Sequence, residues 1–110
     1  NPIDCERIHD VVRYIDDHCS ADLRVSDLAL IACMSPTKFK ETFKRANGKT
    51  LTQYVQERRM NRAEMLLRQP GLTIEQVGRA VGYTCASRFS ALFKRETGML
   101  PSEFRRTLRP

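Results

Sequence analysis

The sequence predicts an all-α fold of seven helices, built as two helix-turn-helix units joined by a long central helix. Three observations predict it. Apolar residues recur at three- and four-residue spacing through most of the chain, and no stretch alternates as a half-buried strand would. Gly, Pro, Ser and Thr interrupt that pattern where helix ends need them. The chain also repeats itself: "FKETFKRANG", Phe39 to Gly48, and "FSALFKRETG", Phe89 to Gly98, both read Phe-x3-Phe-Lys-Arg-x2-Gly at an offset of 50.

Ile3, Ile8, Val11, Val12, Ile15 and Cys19 predict a first helix over about Ile3 to Cys19, with Asp4 and Glu6 suited to its first turn. Val25, Leu28, Ala29 and Ala32 make a short second helix. In "MSPTKF", Ser35 is an N-cap and Pro36 fits the first position of a third helix, which stops near Gly48. Leu51, Tyr54, Val55, Arg58, Arg59, Ala63, Leu66 and Leu67 run along the fourth and longest helix, about 51–69, ended by "QPG". Thr73 and Gln76 form a capping-box pattern for a fifth helix with Ile74, Val77, Ala80 and Val81 as its apolar face. Gly82 marks a turn, Thr84 caps a sixth helix ending at Gly98, and Pro101 starts a last short helix through Phe104 and Arg105.

The repeat gives these elements a plan. Val25, Leu28 and Ala32 match Ile74, Val77 and Val81 at an offset of 49, and Tyr54 matches Phe104 at 50, so the second turn holds one extra residue. Each copy is a short helix, a turn and a longer helix, which is the helix-turn-helix plan. The first covers about 25–48 and the second about 73–98, within one domain expected over 1–110. That length allows one compact unit or two very small ones sharing a core.

Composition narrows the function classes. With 41 % apolar and 29 % charged residues the chain is not disordered. The longest apolar run, "LALIACM", is too short to span a membrane, and the N-terminus lacks the basic start and apolar run of a signal peptide. A cytoplasmic location and no membrane partner are expected, and the missing initiator Met suggests a piece of a longer protein. The net charge of +6 is uneven: residues 1–27 carry seven acids and three arginines, residues 28–110 sixteen bases and six acids. A basic body with an acidic end fits a polyanionic partner for the body.

Cys5, Cys19, Cys33 and Cys85 form no C-x-x-C pair and are expected as buried, reduced thiols. Cys5 and His9 share a helix face, half a metal site, but a structural zinc takes four ligands and His18–Cys19 lies too far along the same helix. No metal and no cofactor are expected. There is no Ser-His-Asp set, phosphate-binding Gly loop or carboxylate pair, so no enzyme is expected, although Cys85 at a helix start has the position of a reactive thiol.

In a helix-turn-helix the second helix enters the major groove of DNA. On a helical wheel Phe39 and Phe43 define the buried side of the third helix; Thr37, Glu41 and Lys44 lie opposite, with Lys38 and Arg45 on one flank and Lys40 on the other. In the sixth helix Phe89 and Phe93 are buried, and Thr84, Ser87, Ala91 and Lys94 lie opposite, with Arg88 and Arg95 on the flank. Lys40 suits guanine and Glu41 the cytosine amino group, whereas Ser87 and Ala91 reach little, so the first copy discriminates and the second mainly grips. Arg88 is the exception, able to read a guanine, and Lys38 joins the candidate base readers. Lys44, Arg45, Lys94 and Arg95, toward the helix C-termini, suit phosphates, as do Ser35 and Thr84 at the helix starts. Glu41 has an alternative role, pairing with Lys38, Lys44 or Arg45. Arg58 and Arg59 are as well placed for solvent or salt bridges as for phosphates. The joining helix, about 28 Å long at roughly 1.5 Å per residue, approaches the about 34 Å between successive major grooves. The alternative is a helical protein-interaction module docking through the acidic first helix.

"IEQVGRAVGY", Ile74 to Tyr83, "SRFSALFKRETG", Ser87 to Gly98, "PSEFR", Pro101 to Arg105, and "RRMNRAEMLL", Arg58 to Leu67, together resemble the DNA-binding domain of the AraC/XylS family of bacterial transcription regulators. The resemblance runs from Val25 to Arg105. It implies seven helices, two units on adjacent major grooves of a promoter or operator, and often an activator that touches RNA polymerase. Carried over by position, it implies Thr37, Lys40 and Glu41 as base readers of the first unit and Ala86, Ser87, Arg88 and Ala91 of the second. Most members add a separate ligand-sensing or dimerisation domain, for which 110 residues leave no room. Cys33 departs from the pattern, standing where the family and the second copy (Gly82) favour Gly. Ala86 and Ala91 stand where longer polar side chains could read bases.

Overall fold

The computed structural model describes residues 2–108; positions 1, 109 and 110, which the expected single domain took in, lie outside the described residues. The helices are α1 (Pro2–His18), α2 (Val25–Ile31), α3 (Pro36–Asn47), α4 (Leu51–Leu67), α5 (Ile74–Ala80), α6 (Ala86–Thr97) and α7 (Pro101–Thr107), with no strand among the described residues. The chain divides into two compact units, one ending at Gln56 and the other beginning at Glu57, so the boundary falls within α4.

The local signals hold at most ends. Ser35 Oγ accepts the Lys38 backbone N–H at 3.2 Å, Pro36 occupies the first position of α3, and Gly48 closes it at φ 73°. Thr73 and Gln76 bond reciprocally at the start of α5. Thr50 and Gln53 do the same for α4. Two ends differ from expectation. The joining helix stops at Leu67, because Pro70 and Gly71 turn the chain and the preceding residues already leave the helical path. The N-cap of α6 is Cys85, not Thr84; Thr84 is exposed ahead of it.

Each unit has its own core. In the first, Ile8, Val11 and Ile15 of α1 meet Leu28 and Ala29 of α2 and Phe39 and Phe43 of α3. In the second, Met60, Ala63 and Leu67 of α4 meet Val77 of α5 and Phe89, Leu92 and Phe93 of α6. Two expected core positions are exposed and one unexpected position is buried. Ile3 is 55 % exposed and Ala80 is exposed, whereas Met60, absent from the expected stripe, is buried. Gly78 takes the interior place on α5: a Cβ built there would meet Phe89 Cδ2 at 3.0 Å, so the missing side chain is what lets α6 approach.

The duplication reaches further than the matching residues. α1 and α4 both have 17 residues, α2 and α5 seven, α3 and α6 twelve. α4 opens the second unit as α1 opens the first, each burying a triad at i, i+3 and i+7 (Ile8, Val11, Ile15; Met60, Ala63, Leu67). The first turns of α4 close the first unit as α7 closes the second: Tyr54 meets Phe43 edge-on at 5.6 Å, and Phe104 meets Phe93 edge-on at 5.6 Å. Such edge-to-face pairs add about 0.5–1.5 kcal/mol beyond burial.

Candidate nucleic-acid interface

The turns ahead of α3 and α6 open with the same geometry, although the second is one residue longer, 81–85 against 32–35. After α2, the Met34 N–H donates to Ala29 O at 2.9 Å and the Cys33 N–H to Leu30 O at 3.0 Å. After α5, the Tyr83 N–H donates to Gly78 O at 2.9 Å and the Gly82 N–H to Arg79 O at 3.1 Å. This bond pair is the Schellman C-cap, which needs a left-handed residue at its penultimate position. Gly82 supplies φ 100°; Cys33 supplies φ 56°. Cys33 thus takes the left-handed region in an L residue, and the two turns open alike.

Both α3 and α6 bury their phenylalanines completely and turn a polar face to solvent. On α3, Thr37, Lys38, Lys40, Glu41, Lys44 and Arg45 are all exposed, as is Ser35 before it; on α6, Ala86, Ser87, Arg88, Ala91, Lys94 and Arg95 are exposed, as is Thr84. The wheel therefore placed each candidate on the accessible side. Lys40, Glu41 and Lys44 line one cleft of about 450 Å³ with Val25, Thr50, Leu51 and Thr52. Lys44 and Lys94 sit in last turns, where the helix dipole favours a cation, and Gly48 and Gly98 each donate to the carbonyl of that lysine at 2.7 Å.

The ion pairs are not those the sequence suggested. Among the described residues Glu41 has no ion pair with Lys38, Lys44 or Arg45; Lys38 Nζ instead lies 3.7 Å from Asp4 Oδ2 of α1. Arg95 pairs with Glu96 at 3.3 Å. Arg59 stands over the Tyr83 ring at 5.0 Å, a packing role for one of the two arginines left open.

Only Cys19 of the four free cysteines is buried; Cys5, Cys33 and Cys85 are exposed, contrary to the expectation of buried thiols. Cys33 and Cys85 lie at turns, where helical periodicity does not govern burial. The backbone N–H of Arg88, then the hydroxyl and backbone N–H of Ser87, favour the Cys85 thiolate and hold its pKa below the ordinary thiol value. Cys5 and His9 share a shallow surface with Glu6 and Asp10, but no set of three or more metal-binding side chains occurs among the described residues. Nor is any described helix long and apolar enough to cross a membrane.

Two supports escaped the sequence reading. Arg105 of α7 donates through Nε to Leu67 O at 3.1 Å, through Nη2 to Gln69 O at 3.3 Å, and through Nη1 to Leu72 O. Its guanidinium bonds carbonyls at the end of α4 and in the following turn. Asp4 is the other, set against Lys38 from another helix. Neither has a sequence signal, because each partner lies more than thirty residues away.

A family model described as a helix-turn-helix domain matches residues 28–107. The chain is 33 % identical over 105 residues to the arabinose operon regulatory protein of Salmonella typhimurium, covering 94 % of this chain and 37 % of that protein. It is similar in structure to an AraC-type DNA-binding domain-containing transcriptional regulator from Chromobacterium violaceum (TM-score 0.87, 26 % identity, 98 % of this chain and 96 % of that one). It is also similar to the C-terminal domain of AraT, a response regulator from Geobacillus stearothermophilus (TM-score 0.86, 30 % identity, 97 % and 86 %). The chain spans just over a third of the arabinose regulator's length.

Proposed function

Because the chain belongs to the AraC-type helix-turn-helix family, we propose that it binds double-stranded DNA sequence-specifically, as the DNA-binding part of a bacterial transcription regulator. Each twelve-residue helix enters a major groove. Thr37, Lys38, Lys40 and Glu41 read bases in the first unit, and Ala86, Ser87, Arg88 and Ala91 face them in the second. Ser35, Lys44, Arg45, Thr84, Lys94 and Arg95 hold phosphates. A promoter or operator is the target, RNA polymerase a further partner, and effector sensing or dimerisation belongs to other parts of the regulator. The role is binding rather than catalysis.

One observation carries this reading: two helices, each following a turn that opens with the same bond pair, present exposed cationic faces opposite fully buried phenylalanines. An isolated charge run would lack that construction. A helical protein-interaction module would use the same helices but would not need two such cationic faces.

The experiment is selection from randomised duplexes, sequencing what the chain retains. Two separate blocks of preference, the first sharper, are expected. Glu41→Ala should change the preferred base at one position of the first block, whereas Ser87→Ala should leave the second nearly as it was. Binding should weaken by orders of magnitude between 50 and 200 mM salt if about six phosphates are contacted. No binding at low salt would hand the function to a protein partner.

A further inference from the structure

We propose that Asp4 is a specificity-determining residue: by pairing with Lys38 it withholds that cation from the duplex and sets how strongly the first unit reads. The proposal rests on the DNA-binding reading above.

The geometry that carries it is a contact between helices. Asp4 Oδ2 lies 3.7 Å from Lys38 Nζ, and the side chains are 20 % and 57 % exposed. A pair of freely moving surface side chains has little effect, since holding both in place costs entropy. Here both backbones are fixed. Ile8, Val11 and Ile15 pin α1 in the core that holds Phe39 and Phe43, and Lys38 immediately precedes Phe39. Ser35 Oγ also accepts the Lys38 N–H, fixing that residue in the first turn of α3. The carboxylate is therefore held beside the N-terminal turn of the reading helix, where a helix-turn-helix touches base edges.

The second unit lacks this arrangement. Arg88 occupies the matching place on α6, at the offset of 50 that relates the two helices, and has no ion pair among the described residues. One unit presents its cation freely; the other keeps it under an internal anion that a phosphate or base must displace. At 3.7 Å, and with Lys38 more than half exposed, the pair is weak enough to be displaced. Asp4 thus tunes affinity and base preference without abolishing binding.

The test is a double-mutant cycle on the chain with Asp4→Asn and Lys38→Ala, read as Kd for the selected duplex across 50 to 200 mM salt. Thermal melts of each variant check that the fold is kept. Asp4→Asn is expected to tighten binding about three- to tenfold at 50 mM and to sharpen preference at one position of the first block. Lys38→Ala should weaken binding several-fold more in the Asp4→Asn background than in the parent, and Lys38→Arg in that background should keep the gain. If the gain from Asp4→Asn survives removal of Lys38, Asp4 acts only as bulk negative charge and the proposal fails. It fails equally if Asp4→Asn leaves affinity and base preference at parent values. Absence of any duplex binding by the parent at 50 mM overturns the DNA reading itself, and this proposal with it.

Discussion

Cys33→Gly is expected to stabilise the first unit. Cys33 holds φ 56° just past the C-cap of α2, in the left-handed region that Gly82 takes after α5. An L residue in the left-handed region costs about 1–2 kcal/mol, because its Cβ crowds the following carbonyl. Glycine removes that cost but loses more backbone freedom on folding, a penalty of about 0.4–1 kcal/mol. The Cys33 side chain is exposed, so no burial is lost with it. The net gain is about 0.5–1 kcal/mol, or roughly 3–6 °C in melting temperature for a unit this small. Urea unfolding followed by far-UV circular dichroism, under reducing conditions, measures it; the midpoint should rise with the slope unchanged. Amide exchange should place the gain in the first unit. Cys33→Ala keeps the strain and should change stability by only a few tenths of a kcal/mol, separating the backbone effect from the thiol. By the same balance Gly82→Ala should cost about 0.5–1 kcal/mol in the second unit. A neutral or destabilising Cys33→Gly, or a Cys33→Ala that gains as much, would refute the strain argument.

Arg105→Ala should destabilise the second unit by about 2–3 kcal/mol, since three carbonyls lose a charged donor; Arg105→Lys should recover less than half in a urea melt, lacking the planar fork. The Tyr83 hydroxyl is buried without a hydrogen-bond partner among the described residues, so Tyr83→Phe should stabilise by about 1 kcal/mol in the same assay; a loss would mean that an internal water holds the hydroxyl. Lys44→Ala and Arg95→Ala should weaken all duplexes alike and each lower the salt slope by about one in filter-binding titrations. Because the Arg88 N–H favours the Cys85 thiolate, its iodoacetamide alkylation should become half-maximal at a pH below that of a free-thiol peptide; a midpoint at or above the peptide's would contradict that environment.

The long elements were legible because their signals are local. Ser35, Pro36 and Gly48 delimit α3 within one or two turns of its ends, and Phe39 and Phe43 orient its buried side, so the wheel that hid them also exposed Lys40, Glu41 and Lys44. The duplicated motif announced the two units. The equivalence of α1 and α4 was not legible: only burial positions repeat, by different residues and at a different offset from the helix ends. Cys85 in place of Thr84 at the cap of α6 shows the same limit, since a residue type suited to capping does not by itself fix where the backbone turns.

By itself the sequence determined helix, turn and accessible face, since periodicity and end signals act within four residues of each position. Tertiary structure alone decided which separated groups meet: Asp4 with Lys38, Arg105 with the end of α4, Phe89 against the bare backbone of Gly78. It also decided that Cys33 takes the left-handed region, because the bonds closing its turn and the burial of Met34 outweigh the strain of one residue. Such choices belong to the packed unit: a core of close-fitting side chains fixes helix positions to fractions of an ångström, and polar groups brought together there pair or stay orphaned whatever their distance along the chain.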